Sequence, residues 1–398
     1  MIRKNGGILT SVGLMVVIAA LTVFFTGQAM GQVKSLKYGL VIPLSGNAAP
    51  WGIAHERGVR IACEDINSRG GFTAGGQAYK WEPLVFDCKY DVKETRTGVE
   101  RMVNQEGCKY VAIMGTANAL GSEDVLLQNK VLLMGQCYGG QKFSNPQHPL
   151  WFRIVLTTKE RPIAFYPWLK AKEGVKKVAL ITQDTEGGAV SLEEGKAAAK
   201  IAGLDVVAEE RYESGTTDFY SVLTRALAKK PDMIDTTLAA GDEPALLTKQ
   251  ARELGFKGVM YIGTLTDPPS FVKTAGIQNT EGAYMAGLPV DLTTDMQKRF
   301  KDLYVKKYGE NEWNPDTFEY AIAVYVLNQG FIKANSIETS KVADALGSME
   351  LDTFSGKGRF GGESVYGIRR QIVIPDYLAV FKNGKPVQAA VVAPPAGY

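Results

Sequence analysis

Hydrophobic residues along the chain alternate between short apolar runs and segments in which they recur at helical spacing. In the first part of the chain, apolar runs predict buried strands at residues 36–43, 80–87, 110–114, 131–134 and 151–156. Val59, Ala62 and Ile66 recur on one helical face after the first run, and residues 118–130 fit a helix between the third and fourth runs. Apolar strands separated by helices are typical of a parallel sheet that is buried on both faces. We therefore predict a βα-alternating sheet.

The alternation begins again near residue 157. It predicts further strands at residues 177–182, 204–210, 232–238, 259–263 and 282–287. A helix at 318–333, apolar on most sides, follows without a third complete βαβ series. A chain of 398 residues is also long for a single core. We predict an α/β protein with two doubly wound parallel-sheet lobes, joined by a hinge of three chain segments.

The predicted lobe boundaries follow from this second start. The first lobe is predicted to contain residues 32–156 and 286–350, and the second lobe residues 157–285 and 351–398. The last third of the chain completes both lobes in this scheme. The chain would then cross between the lobes about three times.

Residues 1–31 have the three-part pattern of a secretory signal peptide. Arg3 and Lys4 precede an apolar run at residues 12–25, and small residues Ala29 and Gly31 flank Met30 at a cleavage site. We expect cleavage near Gly31 and export to the periplasm. An uncleaved membrane anchor stays open as the alternative, because residues 5–33 contain no charge.

The charge and histidine content exclude several classes of function. Removing Arg3 and Lys4 lowers the net charge from +3 to +1 (3 − 2 = 1), which argues against nucleic-acid binding. His55 and His148, the two histidines, are interpreted as solvated surface groups rather than catalysts. No sequence motif of a hydrolase, a zinc protease or a nucleoside triphosphatase occurs. We therefore expect no catalytic residues and no cofactor.

The four cysteines could form one or two disulfides in an oxidising compartment. They are Cys63, Cys88, Cys108 and Cys137. All three ways of pairing the four residues are open. Their spacing resembles no CxxC site, so we expect no metal centre.

Residues 356–361, GKGRFG, match the G-x-G-x-x-G pattern of dinucleotide-binding proteins. That fingerprint needs a strand before it and a helix after it, whereas residues 365–374 are predicted to form a strand. We interpret the match as a turn.

A candidate ligand cleft follows from the predicted topology. In a doubly wound sheet of strand order 2-1-3-4-5, ligands bind beyond the carboxyl ends of the first and third strands. Those ends are residues 45–51 and 115–118. Trp51 offers an apolar wall there, while Thr116 and Asn118 offer hydrogen-bond donors. The alternatives are that Trp51 only packs on the first turn of a helix and that the glycine-rich turns are purely structural.

Several loose motifs, taken in their order and spacing, resemble those of one family. They are LVIPLSG at 40–46, DINSRGG at 65–71, KYVAIMG at 109–115, KVALI at 177–181, TDF at 217–219 and QARELG at 250–255. The chain resembles the type I periplasmic binding proteins of the leucine/isoleucine/valine-binding family, which deliver solutes to ABC importers. The resemblance implies that a ligand binds between two lobes that close around a hinge.

The resemblance also implies which residues contact the ligand. The expected contacts are Trp51, Thr116, Asn118, Cys137, Tyr138 and Gly139 in the first lobe and Asp184, Ala240 and Leu265 in the second. In the family, a hydroxyl and backbone amides hold the carboxylate of an amino acid, at positions that match Thr116, Cys137 and Gly139. Gly139 departs from the family, where a hydroxyl residue is usual.

The expected ligand is a small carboxylate or a branched-chain or hydrophobic amino acid. Amino-acid binders commonly have an acidic residue near the position of Leu265, which pairs with the ammonium group. Its absence puts an α-amino acid in doubt, unless Asp184, Asp242 or Asp267 substitutes, because a buried unpaired ammonium is costly.

These expectations together describe a monomeric, non-enzymatic, solute-binding subunit of an ABC importer, with a membrane permease as its partner. The alternative is a sensing module of the same fold that signals to a separate membrane receptor. A cellular response to the ligand that survives deletion of the importer would favour the sensing module.

Overall fold

A computed structural model describes residues 32–46, 48–138, 140–264 and 266–393. The predicted signal peptide and two of the expected contacts, Gly139 and Leu265, lie outside these residues.

Sixteen strands lie in the described part of the chain. In chain order they are β1 Lys34–Ile42, β2 Phe72–Ala74, β3 Gln77–Asp87, β4 Tyr110–Met114, β5 Leu132–Gln136, β6 Trp151–Arg153, β7 Lys177–Gln183, β8 Asp205–Tyr212, β9 Met233–Asp235, β10 Val259–Ile262, β11 Ala283–Ala286, β12 Glu350–Thr353, β13 Gly356–Gly361, β14 Gln371–Val373, β15 Asp376–Lys382 and β16 Lys385–Val392.

Fifteen α-helices accompany these strands in the same ranges. They are α1 Ala49–Ser68, α2 Val92–Glu100, α3 Thr116–Leu120, α4 Glu123–Gln128, α5 Gly140–Phe143, α6 Glu160–Glu173, α7 Glu186–Ala202, α8 Tyr220–Leu227, α9 Glu243–Glu253, α10 Pro268–Ala275, α11 Ile277–Thr280, α12 Asp295–Tyr308, α13 Thr317–Ala334, α14 Thr339–Ser348 and α15 Glu363–Tyr366. A π-helical turn, Arg101–Gln105, continues α2, and a 3-10 turn, Glu310–Glu312, follows α12.

The strands form two sheets. The first has the order β12-β13-β14-β6-β5-β4-β1-β3-β2, and the second has the order β16-β15-β11-β10-β9-β7-β8. In both sheets the central strands are parallel and have the doubly wound order 2-1-3-4-5. The predicted fold class is therefore confirmed.

Each sheet has apolar side chains on both faces, as the continuous apolar runs predict. In β4, Tyr110 and Ala112 belong to the core cluster that includes α13, while Val111 and Ile113 belong to the cluster on the opposite face. Alternate residues of a strand point to opposite faces, so one run of five buried residues supplies both cores. The ring of Phe331 on α13 packs against Tyr110 at a centroid distance of 4.9 Å.

The chain crosses from one sheet to the other three times. The crossings lie between β6 and β7, between β11 and β12, and between β14 and β15. The sequence assigned residues 351–398 to the second lobe, but strand pairing divides this segment. Residues 350–373 join the first sheet, because β14 pairs with β6 through Gln371 and Arg153, and only β15 and β16 join the second.

Two predictions of local structure are wrong. Residues 356–361 form strand β13 rather than a turn, and Gly358 allows the strands to pack closely, since a Cβ atom there would lie 2.6 Å from Cγ2 of Ile374. The predicted helix at 118–130 is divided into α3 and α4. The break is at Gly121, where any side chain would overlap Val92 on α2.

Both histidines are buried, not solvated as the sequence suggested. His55 is fully buried and stacks on Tyr320 at a centroid distance of 4.5 Å. His148 is hydrogen-bonded to the carbonyl oxygen of Phe143 and to the carboxylate of Glu123, and it stacks on Trp151.

The four cysteines are free thiols, so none of the possible disulfides forms in this structure. Cys63 lies in the core on one face of the first sheet, whereas Cys88, Cys108 and Cys137 lie in the core on the other face. The sheet therefore separates Cys63 from the other three.

Candidate functional site

The loops that follow the carboxyl ends of both sheets meet at one buried guanidinium, that of Arg161. From the first sheet, Tyr138 follows β5 and hydrogen-bonds Arg161. From the second sheet, the carbonyl oxygen of Gly263, after β10, lies 3.5 Å from Nη1 of Arg161. A Cβ atom on Gly287, after β11, would lie 2.5 Å from Nη2. The two carboxyl edges therefore face one another, and the space between them is the candidate cleft.

Trp51 lies at the carboxyl edge of the first sheet, which borders this candidate cleft. It packs on a small cluster formed by Ala54, Met114 and Tyr320. Its position depends on Gly52, since any side chain there would overlap the carbonyl oxygen of Pro43 at the end of β1. The glycine allows α1 to begin directly against the strand end and so fixes the tryptophan beside Met114, the last residue of β4.

The two polar side chains expected after β4, Asn118 and Thr116, have different surroundings. Asn118 is buried, and its Nδ2 donates to the carbonyl oxygen of Met114 at 2.9 Å, so this side chain closes the turn instead of facing the cleft. Thr116 is half-buried at the first position of α3 and shares a hydrogen bond with the thiol of Cys137.

Cys137 contributes no side chain to the cleft surface. The residue is fully buried, with its sulfur 4.0 Å from the carbonyl oxygen of Ile113, and burial raises the pKa of the thiol to about 12. A neutral, inward-pointing thiol leaves only the backbone of Cys137 for contact with a ligand.

Tyr90 is a cleft residue that sequence reasoning missed. It follows β3, is 47% exposed, and its ring lies so close to Gly115 that a Cβ atom there would be 3.1 Å from the tyrosine Oη. Lys89 and Tyr90 both have left-handed backbone conformations, with φ of 52° and 61°. Such strain in consecutive non-glycine residues is concentrated at functional sites. The exposed ring therefore adds aromatic surface beside Gly115, the residue that precedes Thr116.

In the second lobe, Asp184 and Ala240 occupy different surroundings. Asp184 is exposed, and its carboxylate lies 3.5 Å from Nη1 of exposed Arg211. Ala240 lies in the loop after β9, and its backbone N–H donates to Glu243 at 2.9 Å. Ala240 is thus near the carboxyl edge, whereas the side chain of Asp184 is engaged at the surface.

Glu243 is a second residue that the sequence did not indicate. Its carboxylate accepts four hydrogen bonds, from Gln183 Nε2 at 2.7 Å, Tyr212 Oη at 2.9 Å, Gly215 N at 2.8 Å and Ala240 N at 2.9 Å. These donors belong to the ends of β7 and β8 and to the loops after β8 and β9. One buried carboxylate therefore positions the second-lobe loops that border the cleft.

Arg161 belongs to a buried ionic cluster that also went unpredicted. Its Nη2 donates to Glu319 on α13, and its Nε lies 3.4 Å from Asp376 at the start of β15. Arg161 follows the first crossing, Gly287 begins the second, and Asp376 follows the third. The guanidinium thus links the three crossings to α13 of the first lobe. Burial raises the pKa of Asp376 to about 6, and Arg161 opposes this rise.

Asp316 and Tyr320 extend the cluster into the first lobe. The hydroxyl of Tyr320 donates to Asp316 at 3.3 Å and also hydrogen-bonds Gln136 at the end of β5. Burial, followed by the charge of Glu319, raises the pKa of Asp316 well above its ordinary value. One signal was available in the sequence, since Glu319 is a charged residue near the start of a helix predicted to be buried on most sides.

Within the described ranges, no three His, Cys, Asp or Glu side chains form a group that could hold a metal ion. No helix in those ranges is both long and apolar enough to cross a membrane. A separate groove of about 680 Å³ lies at the amino ends of β9 and β10, with Asp232, Arg252 and Lys257 in its wall. It is at the edge of the second sheet opposite the cleft and contains none of the expected contacts.

The family model described as periplasmic binding protein matches residues 35–370. A relative from Brucella melitensis, named Leu/Ile/Val-binding protein homolog 7, is 24% identical over 353 residues, which cover 82% of this chain and 84% of the relative.

Two solved structures resemble the fold closely. One is the substrate-binding protein LivJ of a branched-chain amino acid transporter from Streptococcus pneumoniae, in complex with isoleucine. Its TM-score is 0.77 at 20% identity, with coverage of 91% of this chain and 100% of that one. The other is a solute-binding protein of an ABC transporter from Rhodopseudomonas palustris BisB5, in complex with 3,4-dihydroxybenzoic acid. Its TM-score is 0.76 at 21% identity, with coverage of 91% and 99%.

Proposed function

The chain belongs to the periplasmic binding protein family, whose members are solute-binding proteins and not enzymes, and we propose that it captures a small carboxylate-bearing ligand between its two lobes for an ABC importer. The family resemblance inferred from the sequence motifs is thereby confirmed. The proposal itself concerns the ligand, the importer and the residues that bind.

The observation that supports this proposal most strongly is the convergence of both carboxyl edges on Arg161. Ligands of doubly wound sheets bind beyond the carboxyl ends of the strands. Here two such edges face each other across one cleft, and the three crossings that join them meet the same buried guanidinium. Hinge closure of two lobes would enclose a ligand at that place.

The cleft wall favours a ligand with an apolar body. Trp51 and Tyr90 present aromatic surface on the first-lobe side, next to the hydroxyl of Thr116. The ligands in the two similar structures, isoleucine and 3,4-dihydroxybenzoic acid, each combine a carboxylate with an apolar or aromatic body. We propose the same combination for this chain, with Thr116 and the backbone of Cys137, Tyr138 and Gly139 at the carboxylate. In the second lobe we keep Ala240 and Leu265 as candidate contacts.

The cellular setting follows from the family, which is extracytoplasmic. We propose export with cleavage near Gly31, action as a monomer and delivery of the ligand to a membrane permease. N-terminal sequencing of the mature protein would test the cleavage site, and a pull-down of the permease with ligand-loaded protein would test the partner.

The proposed capture function is tested by identifying the natural ligand. The protein should be purified without denaturation, and the small molecules released from it should be identified by mass spectrometry. We expect one carboxylate per chain, recovered unchanged after incubation with the protein. A chemically altered product would contradict a binding function, and a ligand without a carboxylate would contradict the proposed chemistry.

Thr116→Val is expected to weaken binding of the recovered carboxylate by about 1.5–3 kcal/mol, the range for a hydrogen bond to a charged group. A threonine hydroxyl has one proton and two acceptor lone pairs. The hydroxyl can therefore turn its proton from the weak sulfur acceptor of Cys137 to a ligand carboxylate. Titration calorimetry would measure the loss.

Two control variants accompany this test. Thr97→Val makes the same change on exposed α2 and should leave the affinity unaltered. Cys137→Ser should also have little effect on affinity, because the Cys137 side chain faces the core. Unchanged affinity in correctly folded Thr116→Val would exclude Thr116 from the carboxylate site.

A further inference from the structure

We propose that Asp316, at the start of α13, binds an ammonium group of the ligand, with the side-chain oxygens of Gln136 and Glu319 as further acceptors. This inference rests on the proposed capture function and narrows the ligand to a carboxylate that also carries an amine. The acceptors come from the first lobe, on an element that the sequence did not connect with ligand binding.

The first observation is that the carboxylate of Asp316 accepts fewer hydrogen bonds than it could. Asp316 is only 5% exposed and occupies the N-cap position of α13, but its carboxylate caps no backbone N–H. Among the described residues, Tyr320 Oη donates to this carboxylate at the long distance of 3.3 Å. Once a cation ionises it, such a carboxylate offers about four lone-pair sites, and buried polar groups normally use them.

A second, independent observation concerns Gln136. Gln136 is 5% exposed, and its amide hydrogen-bonds the same Tyr320 hydroxyl that contacts Asp316. Its carbonyl oxygen Oε1 is buried and has no hydrogen-bond partner among the described residues. Oε2 of Glu319, one turn along α13, is also a buried oxygen without a hydrogen-bond partner among the described residues. The unsatisfied donor of the same cluster, Nε of Arg161, already faces Asp376 at 3.4 Å. The two unsatisfied side-chain oxygens of Gln136 and Glu319 are acceptors, and a ligand that satisfies them must be a donor.

The charges of the cluster lead to the same class of ligand. One guanidinium, Arg161, faces the carboxylates of Glu319, Asp376 and Asp316, and it directly contacts only the first two. Asp267 of the second lobe adds a negative charge near Asp316 but already caps α10 through Ser270. With Asp316 ionised, the cluster has three carboxylates and one guanidinium, and an ammonium group would add a positive charge and three N–H donors.

The other titratable neighbours of Asp316 do not supply that cation. Tyr320 and Tyr138 are neutral, because burial raises the pKa of both phenols. His55, which stacks on Tyr320 from α1, is also neutral, because burial lowers its pKa to about 3. The raised pKa of Asp316 is consistent with a carboxylate that awaits a positive partner, and an arriving ammonium would lower it again.

The test uses pairs of compounds that differ only in the amine: leucine with 4-methylpentanoate, and phenylalanine with 3-phenylpropanoate. Calorimetry on the full-length protein at pH 7 should show at least 10-fold tighter binding of the amine-bearing member. Asp316→Asn should weaken that member by about 10- to 100-fold and the amine-free member by less than 3-fold. Asp302→Asn, on the exposed face of α12, is the matched control and should change neither.

A second readout separates a direct role of Asp316 from a structural one. Titrations in buffers of different ionisation enthalpy should show that binding of the amine-bearing member to the unmodified protein releases protons, because the arriving ammonium lowers the raised pKa of Asp316. This release should be lost in Asp316→Asn. Equal release in the variant would overturn the assignment.

The outcomes also separate this inference from the capture function. Equal or tighter binding of the amine-free members, or recovery of a natural ligand without a basic nitrogen, overturns the ammonium site and leaves the capture function standing. If none of the four compounds binds, a recovered ligand with a basic nitrogen supports the site. If none of the four compounds binds and no natural ligand is recovered from the purified protein, the capture function and the ammonium site are both contradicted.

Discussion

Replacing Arg161 by methionine is expected to lower the free energy of unfolding by about 3–5 kcal/mol, the range for removing one partner of a buried ion pair. The substitution would leave partly buried Glu319 and buried Asp376 without their guanidinium. Chemical denaturation at pH 8 would measure the effect. Arg211→Met, which breaks only the exposed pair with Asp184, should cost less than about 1 kcal/mol.

The cost of Arg161→Met should also depend on pH. Arg161 stabilises the ionised carboxylate of Asp376, so this part of its contribution is present at high pH and is lost as the pH falls and Asp376 becomes protonated. Asp376, with a pKa of about 6, would begin to lose its charge near that pH. A cost that stays the same between pH 8 and pH 5 would show that packing, and not charge, explains the role of Arg161.

Glu243→Ala is expected to destabilise the protein by about 3 kcal/mol or more and to weaken ligand binding at the same time. Each hydrogen bond to a charged group contributes about 1.5–3 kcal/mol, and the four donors around Glu243 would lose one acceptor together. We expect weaker binding because the loop containing Ala240, a candidate ligand contact, loses its hydrogen bond to Glu243. Denaturation and calorimetry would measure the two effects separately.

A matched control for this prediction lies on the same helix. Glu253→Ala, at the end of α9, removes an exposed carboxylate that accepts from Tyr220 at the surface and should change both quantities by less than about 1 kcal/mol. If Glu243→Ala destabilised the fold but left the affinity unchanged, the loops would not depend on this carboxylate for their binding geometry.

The sequence predicted the parallel strands well because their signal is local. The five residues of β4 are apolar and are all buried, so this short sequence predicts both the strand and its contribution to the cores on the two faces of the sheet. Strand β13 was missed because glycine, lysine and arginine are atypical of a strand. Its place is decided by pairing with β12 and β14, and no local pattern expresses that pairing.

The candidate site was predictable only where it lies at the ends of strands. Trp51, Thr116 and Tyr138 follow from topology and family motifs. The Arg161 cluster could not be found in this way, because its members are far apart in the sequence, with Glu319 158 residues away from Arg161. His55 shows the same limit, since a histidine near the start of a helix looks exposed until Tyr320, from a distant helix, covers it.

The burial of all four cysteines has a practical consequence for measuring lobe motion. The thiolate is the nucleophile that attacks thiol reagents, and burial raises the pKa of Cys108 to about 11 and that of Cys137 to about 12. The native protein should therefore react very slowly with maleimides. A cysteine introduced at exposed Tyr220 would accept a single fluorophore without removal of the natural cysteines. In denaturant, the appearance of reactive natural thiols would in turn report the opening of the first-sheet core.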